Sequence, residues 1–76
     1  MNARILIVED ESVIALDIKR RMERFGYEVA SIAVTGEEAL EKTLLLGPDL
    51  VFMDIMLPGE MDGIETAEAL RSRTDI

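Results

Sequence analysis

The chain has 76 residues, enough for one small domain and only marginally enough to bury a core. Sixteen acids against eight bases leave a formal charge of −8, which disfavours direct nucleic-acid binding because phosphate backbones need a cationic footprint. With no cysteine and no histidine, the chain has no disulfide framework, no thiolate metal site, no imidazole base and no phosphohistidine chemistry of its own.

An apolar fraction of 49% beside 32% charged residues describes a soluble globular protein rather than a disordered one. No apolar run approaches the ~18 residues of a membrane span, and the start of the chain has no signal-peptide layout. Membrane association is therefore not expected. The absence of cysteine fits a reducing, cytoplasmic setting.

The first apolar run, Ile5-Leu6-Ile7-Val8, is rich in β-branched residues and does not alternate with polar ones. That pattern predicts a strand covered on both faces, as in a parallel sheet. Ile14, Ile18, Met22 and Phe25 then recur at helical spacing, and Gly26 is the expected stop. The second strand, Val29-Ala30-Ser31-Ile32, is partly polar and reads as an edge. Thr35-x-x-Glu38 matches a capping box, opening a helix with Ala39, Leu40, Thr43 and Leu44 inward and Gly47-Pro48 closing it. Leu50-Val51-Phe52-Met53 is a third, wholly apolar strand. Asp62-x-x-Glu65 repeats the capping signature ahead of Ile64, Ala67 and Leu70. The order is βαβαβα, with connections that require parallel crossovers. A three-stranded parallel sheet is small for this class, so the 76 residues are expected to be the front part of a larger domain.

Carboxylates follow the two most apolar strands and not the weaker one. Glu9 and Asp10 come directly after the first, and Asp54 directly after the third. Open parallel sheets bind ligands at the carboxyl ends of their strands, where the winding direction reverses. If the first and third strands are neighbours, three carboxylates converge there. Their mutual repulsion calls for a cation, and a hard ion with oxygen ligands such as Mg²⁺ suits the set. A carboxylate held rigidly beside such an ion is equipped to be a nucleophile toward phosphorus. A plainer alternative is that these acids cap helices, with Asp10 or Ser12 serving the helix from about 13 to 25.

At this point the residues resemble the receiver domain of two-component response regulators. An acidic pair follows the first strand, Glu9-Asp10, and an aspartate follows the third within "PDLVFMDIMLPG…DG", Pro48 to Gly63. The resemblance implies a flavodoxin-like parallel sheet with helices on both faces and the first and third strands adjacent. Residues 1–76 would then be the N-terminal part of a receiver, without its fourth and fifth strands and their helices.

The resemblance further implies that Asp54 is the phosphoacceptor and Asp10 a direct Mg²⁺ ligand, with Glu9 helping directly or through water. Met56 would lend a backbone carbonyl to the metal, and Pro58 and Gly63 would shape the loop. A separate histidine kinase, or a small phosphodonor, would supply the phosphoryl group. The loop "PGEMDG" is one residue longer than the family's commonest form. Family members also carry a Ser/Thr after the fourth strand and a Lys after the fifth, for which Lys19 and Lys42, inside predicted helices, cannot stand in.

Two other readings compete. A Mg²⁺-dependent phosphatase with an aspartyl nucleophile usually has a second Asp two residues on, where this chain has Met56. A receiver-like interaction domain would keep the fold without being phosphorylated. Dinucleotide binding is disfavoured, because no Gly-x-Gly-x-x-Gly follows the first strand. The third strand has no lysine or proline to protect a free edge, so self-association through that edge, or partial unfolding, is expected, increasing with salt.

Overall fold

The structure, a computed structural model, describes residues 3–53, 59 and 62–73. Six elements alternate along the chain: β1 (Arg4–Val8), α1 (Ser12–Arg24), β2 (Glu28–Ala33), α2 (Gly36–Leu46), β3 (Leu50–Met53) and α3 (Gly63–Arg73). The strands form one parallel sheet in the order β2-β1-β3. The chain therefore steps from β1 outward to β2, then back across β1 to β3. Because right-handed crossovers are strongly preferred, that reversal places α1 on one face of the sheet and α2 with α3 on the other.

β1 is the core. Ile5, Leu6, Ile7 and Val8 are all buried, as the unbroken apolar run predicts. Leu6 and Val8 pack with Ala33, Ala39, Val51 and Met53 beneath α2. Ile5 and Ile7 alternate to the opposite face, where α1 lies against β1 and β2. The pairing of β1 with β2 slips between Ile5 and Leu6, which leaves Ala30 as an extra residue in β2.

Helix ends follow the sequence signals closely. α1 closes in a Schellman turn: Gly26, at φ 93°, donates its N–H to Glu23 O, and Tyr27 N–H reaches Met22 O. Thr35 caps α2 by accepting the Glu38 N–H at 3.1 Å, and Gly47 ends it in the left-handed region at φ 57°. The expected reciprocal half of that box is replaced, because Glu38 instead pairs with Lys42 at 3.0 Å. The box opening α3 is complete: Asp62 accepts the Glu65 N–H at 2.9 Å and donates its own N–H to Glu65 at 3.4 Å.

The inward helix faces differ from expectation at their margins. On α1 the buried position is Ala15, with Ile18 and Met22 half-buried, whereas Ile14 is exposed and Phe25 is 75% exposed. The helix ends at Arg24, so Phe25 falls on the cap and points away from the stripe. On α2, Ala39 and Thr43 are buried but Leu44 is not; on α3, Leu70 and Thr66 are buried but Ile64 is not. Each sheet face is narrow, so only one row of each helix reaches it. β3 departs in the same direction. Rather than being covered on both faces, it alternates, with Leu50 and Phe52 exposed and Val51 and Met53 half-buried.

The Thr43 hydroxyl is buried without a hydrogen-bond partner among the described residues. A buried unpaired hydroxyl costs roughly 1–3 kcal/mol, and Val has the same shape without it. Thr43→Val should therefore raise stability by about 1 kcal/mol, whereas Thr35→Ala should lower it by about 1 kcal/mol through loss of the cap. Urea melts followed by far-UV circular dichroism measure both. A destabilised Thr43→Val chain would show that the hydroxyl has a partner.

Candidate functional site

The acidic pair is built by the exit from β1. Glu9 N–H donates to Ala33 O at 2.9 Å, extending the β1–β2 ladder one residue past the strand. The Glu9 backbone is thus fixed by the sheet itself. Its side chain is only 7% exposed, and Oε1 accepts the Glu11 N–H at 3.2 Å. A carboxylate so far buried is held by such bonds rather than by water. Asp10 is exposed, with no hydrogen bond or ion pair of its carboxylate among the described residues.

The capping alternative for these acids is not realised. α1 starts at Ser12 with Glu11 as its N-cap, and no side chain accepts a cap hydrogen bond there. Neither Asp10 nor Ser12 caps the helix. Glu9 takes over part of that work, since the N–H it holds belongs to the cap residue. Periodicity alone could not reveal this, because the acceptor lies two residues before the cap.

On the neighbouring strand, Met53 pairs with Val8. Met53 is the residue before Asp54 in the sequence, and Val8 the residue before Glu9. Asp54, Met56 and Pro58 lie outside the described residues. The structure therefore brings the ends of the two strands together and places Glu9 and Asp10, while the expectations for Asp54, Met56 and Pro58 stand on sequence. Among the described residues no three His, Cys, Asp or Glu side chains form a metal-holding group. Gly63 is buried as the first residue of α3, directly after the Asp62 cap.

Both lysines have structural positions, as the helical reading requires. Lys42 Nζ bonds Ile32 O at 2.7 Å as well as Glu38, tying α2 to β2, and Lys19 lies half-buried on α1. A residue that sequence reasoning missed is Gly59: at φ 95°, with the Glu37 carboxylate 2.9 Å from where a Cβ would be, it lies beside the start of α2. The only signal for it was a Pro-Gly pair.

Three parallel strands in the order β2-β1-β3, helices on both faces and an acidic pair at the exit of the central strand define the flavodoxin-like receiver class. Residues 5–76 match the family described as Response regulator receiver domain, and the chain belongs to that family of two-component response regulators. Over 73 residues it is 45% identical to the alkaline phosphatase synthesis transcriptional regulatory protein PhoP of Bacillus subtilis, covering 96% of this chain and 30% of that protein. It is 43% identical over 70 residues to the chemotaxis protein CheY of Thermotoga maritima, covering 92% and 58%. The solved receiver domain of a modulated diguanylate cyclase from Desulfovibrio desulfuricans superposes with a TM-score of 0.93 at 37% identity, over all of this chain and 60% of that one. The chain thus spans less than two thirds of these relatives.

Glu9 offers a direct test of how the acidic turn is built. Glu9→Gln keeps an acceptor for the Glu11 N–H and should leave stability within about 0.5 kcal/mol, while Glu9→Ala strands that donor and should cost about 1–2 kcal/mol. Urea midpoints of the two variants decide it. Equal losses would mean that the charge of Glu9, not its acceptor, holds the turn.

Proposed function

We propose that this chain is a phosphoacceptor in two-component phosphorelay signalling, with Asp54 receiving the phosphoryl group from a histidine kinase. The observation that carries the reading is the register of β3 on β1, with Met53 beside Val8. It supports the reading because Met53 and Val8 are the residues before Asp54 and Glu9 in the sequence. Family membership supports the same assignment and disfavours an aspartyl-nucleophile phosphatase, whose second Asp is replaced by Met56.

In this reading Mg²⁺ would be held by Asp10, by Glu9 directly or through water, by Asp54 and by the Met56 backbone carbonyl. The donor set is all oxygen, as a hard cation requires, and the exposed Asp10 carboxylate is open to it. When bound, the ion supplies positive charge to the phosphoryl oxygens. The chain supplies the nucleophile. An Asp54 carboxylate oxygen attacks the phosphorus in line, the P–O bond forms as the donor's P–N bond breaks, and the departing imidazole nitrogen takes up a proton. The rigid exit of Glu9 from the sheet keeps the acidic pair from swinging away, which is the positioning such transfer depends on.

Two measurements test this. In an NMR titration, Mg²⁺ should shift the Glu9, Asp10 and Asp54 resonances together, and Asp10→Ala should abolish the effect. Shifts scattered over surface carboxylates would count against a site.

In the full-length receiver, acetyl phosphate and Mg²⁺ should give one added phosphoryl group by mass spectrometry, labile to hydroxylamine and absent in Asp54→Asn. Phosphorylation that persists in Asp54→Asn would remove Asp54 from the role.

A further inference from the structure

A flavodoxin-like sheet runs in the order 2-1-3-4-5, so β2 is an edge strand of the whole fold, and its outer side faces no further strand. An edge strand has ladder bonds on one side only and opens more readily than a central one. β2 nevertheless carries the acceptor that fixes the acidic turn. Glu9 N–H donates to Ala33 O, on the last residue of that strand. The position of the turn therefore depends on what holds the end of β2 in place.

Main-chain direction alternates along a strand, so with the Ala33 carbonyl turned toward β1 the Ile32 carbonyl is turned outward. Lys42 meets it there. Its Nζ donates to Ile32 O at 2.7 Å, and the same ammonium pairs with Glu38, one turn earlier on α2, at 3.0 Å. The two side chains are 30% and 35% exposed, so water screens these contacts less than at an open surface. A charged donor at this distance makes one of the stronger kinds of hydrogen bond. Between Ile32 and Lys42 the chain turns from β2 into α2, and Thr35 Oγ1 accepts the Glu38 N–H inside that turn. Glu38 holds the capping-box position but pairs with Lys42 instead of completing the box. The half-cap forgone there is matched by an ammonium fixed at the strand edge.

We propose that Lys42 is a positioning residue for the acidic turn. By clamping Ile32 O from outside the sheet, it keeps Ala33 O within reach of the Glu9 N–H, and so keeps Glu9 and Asp10 where Mg²⁺ binds. Lys42 acts through the main chain, from Ile32 to Ala33 to Glu9. The metal's part in this rests on the function proposed above, whereas the clamp's part rests on the sheet alone. Glu38 serves by aiming the ammonium, and α2 serves as the rigid arm from which Lys42 reaches round the edge.

Amide exchange in the full-length receiver, without metal or phosphodonor, tests the clamp. Lys42→Met keeps the apolar stem and removes the ammonium. The Glu9 N–H should then exchange roughly tenfold faster relative to the Leu6 N–H of the buried strand, as loss of a charge-assisted bond requires. Lys42→Arg retains a charged donor for Ile32 O and should restore slow exchange. Gly47→Ala is the control. At φ 57° it strains the far end of α2 and lowers stability without touching Lys42, so the ratio of Glu9 to Leu6 exchange should not change. With Mg²⁺ added, the shifts of the Glu9 and Asp10 amides should need about tenfold more metal in Lys42→Met and return to normal in Lys42→Arg. A Glu9 amide that exchanges no faster in Lys42→Met than in Gly47→Ala overturns the clamp, and unchanged Mg²⁺ affinity in Lys42→Met overturns its role at the site. An unmodified receiver that takes up no Mg²⁺ overturns the proposed function instead, and the exchange result still decides the clamp.

Discussion

A strand buried on both faces and both edges cannot turn to water for any of its main-chain hydrogen bonds. β1 is such a strand, and each of its N–H and C=O groups must find a partner in the protein. That requirement fixes β2 on one side and β3 on the other. It also fixes the helices, because a chain that must visit both sides of β1 has to cross over both faces. Arg4 shows how tightly the start of the strand is accounted for: its N–H reaches the Asp49 carboxylate at 2.8 Å, its carbonyl accepts the Asp49 N–H, and its guanidinium reaches Leu46 O.

The acidic turn inherits its rigidity from this arrangement. Glu9 leaves the sheet with its N–H still in the ladder and its side chain holding the N–H of the next helix cap. A carboxylate positioned by two elements at once keeps its place. Asp10, one residue further on, is left to solvent. Adjacent acids thus have opposite environments because one is the last residue of the ladder and the other is the first outside it.

Much of this was legible in the sequence. The unbroken apolar run of Ile5 to Val8 signalled the central strand, and the boundaries of β3 agree with the reading of Leu50 to Met53. Capping patterns located the starts of α2 and α3, because a cap is a local interaction that residue type and spacing nearly determine. Ile14, Phe25, Leu44 and Ile64 were assigned to inward faces and lie exposed. Periodicity identifies a face but not its width, and width depends on how much sheet lies beneath each helix. The bond from Glu9 to the α1 cap, the tie from Lys42 to Ile32 and the approach of Gly59 to Glu37 are contacts set by tertiary placement, so no spacing could announce them.

The strand order also carries an order in time. Residues 4 and 28 open the β1–β2 ladder, whereas residues 5 and 50 open that of β1 with β3. Closing the longer loop costs only about 0.6 kcal/mol more per doubling of length, but it must wait until the second ladder's sequence has been synthesised. A nascent chain can therefore zip β1 to β2 while β3 is still inside the ribosome. During that interval Glu9 already has its partner at Ala33 O, and β1 presents a bare edge toward the side where β3 will dock. Pulsed amide exchange would register the sequence of events, with protection arising at Ala33 and Glu9 before it arises along β3. β3 is the last of the three strands to arrive, at a turn that has been waiting for it.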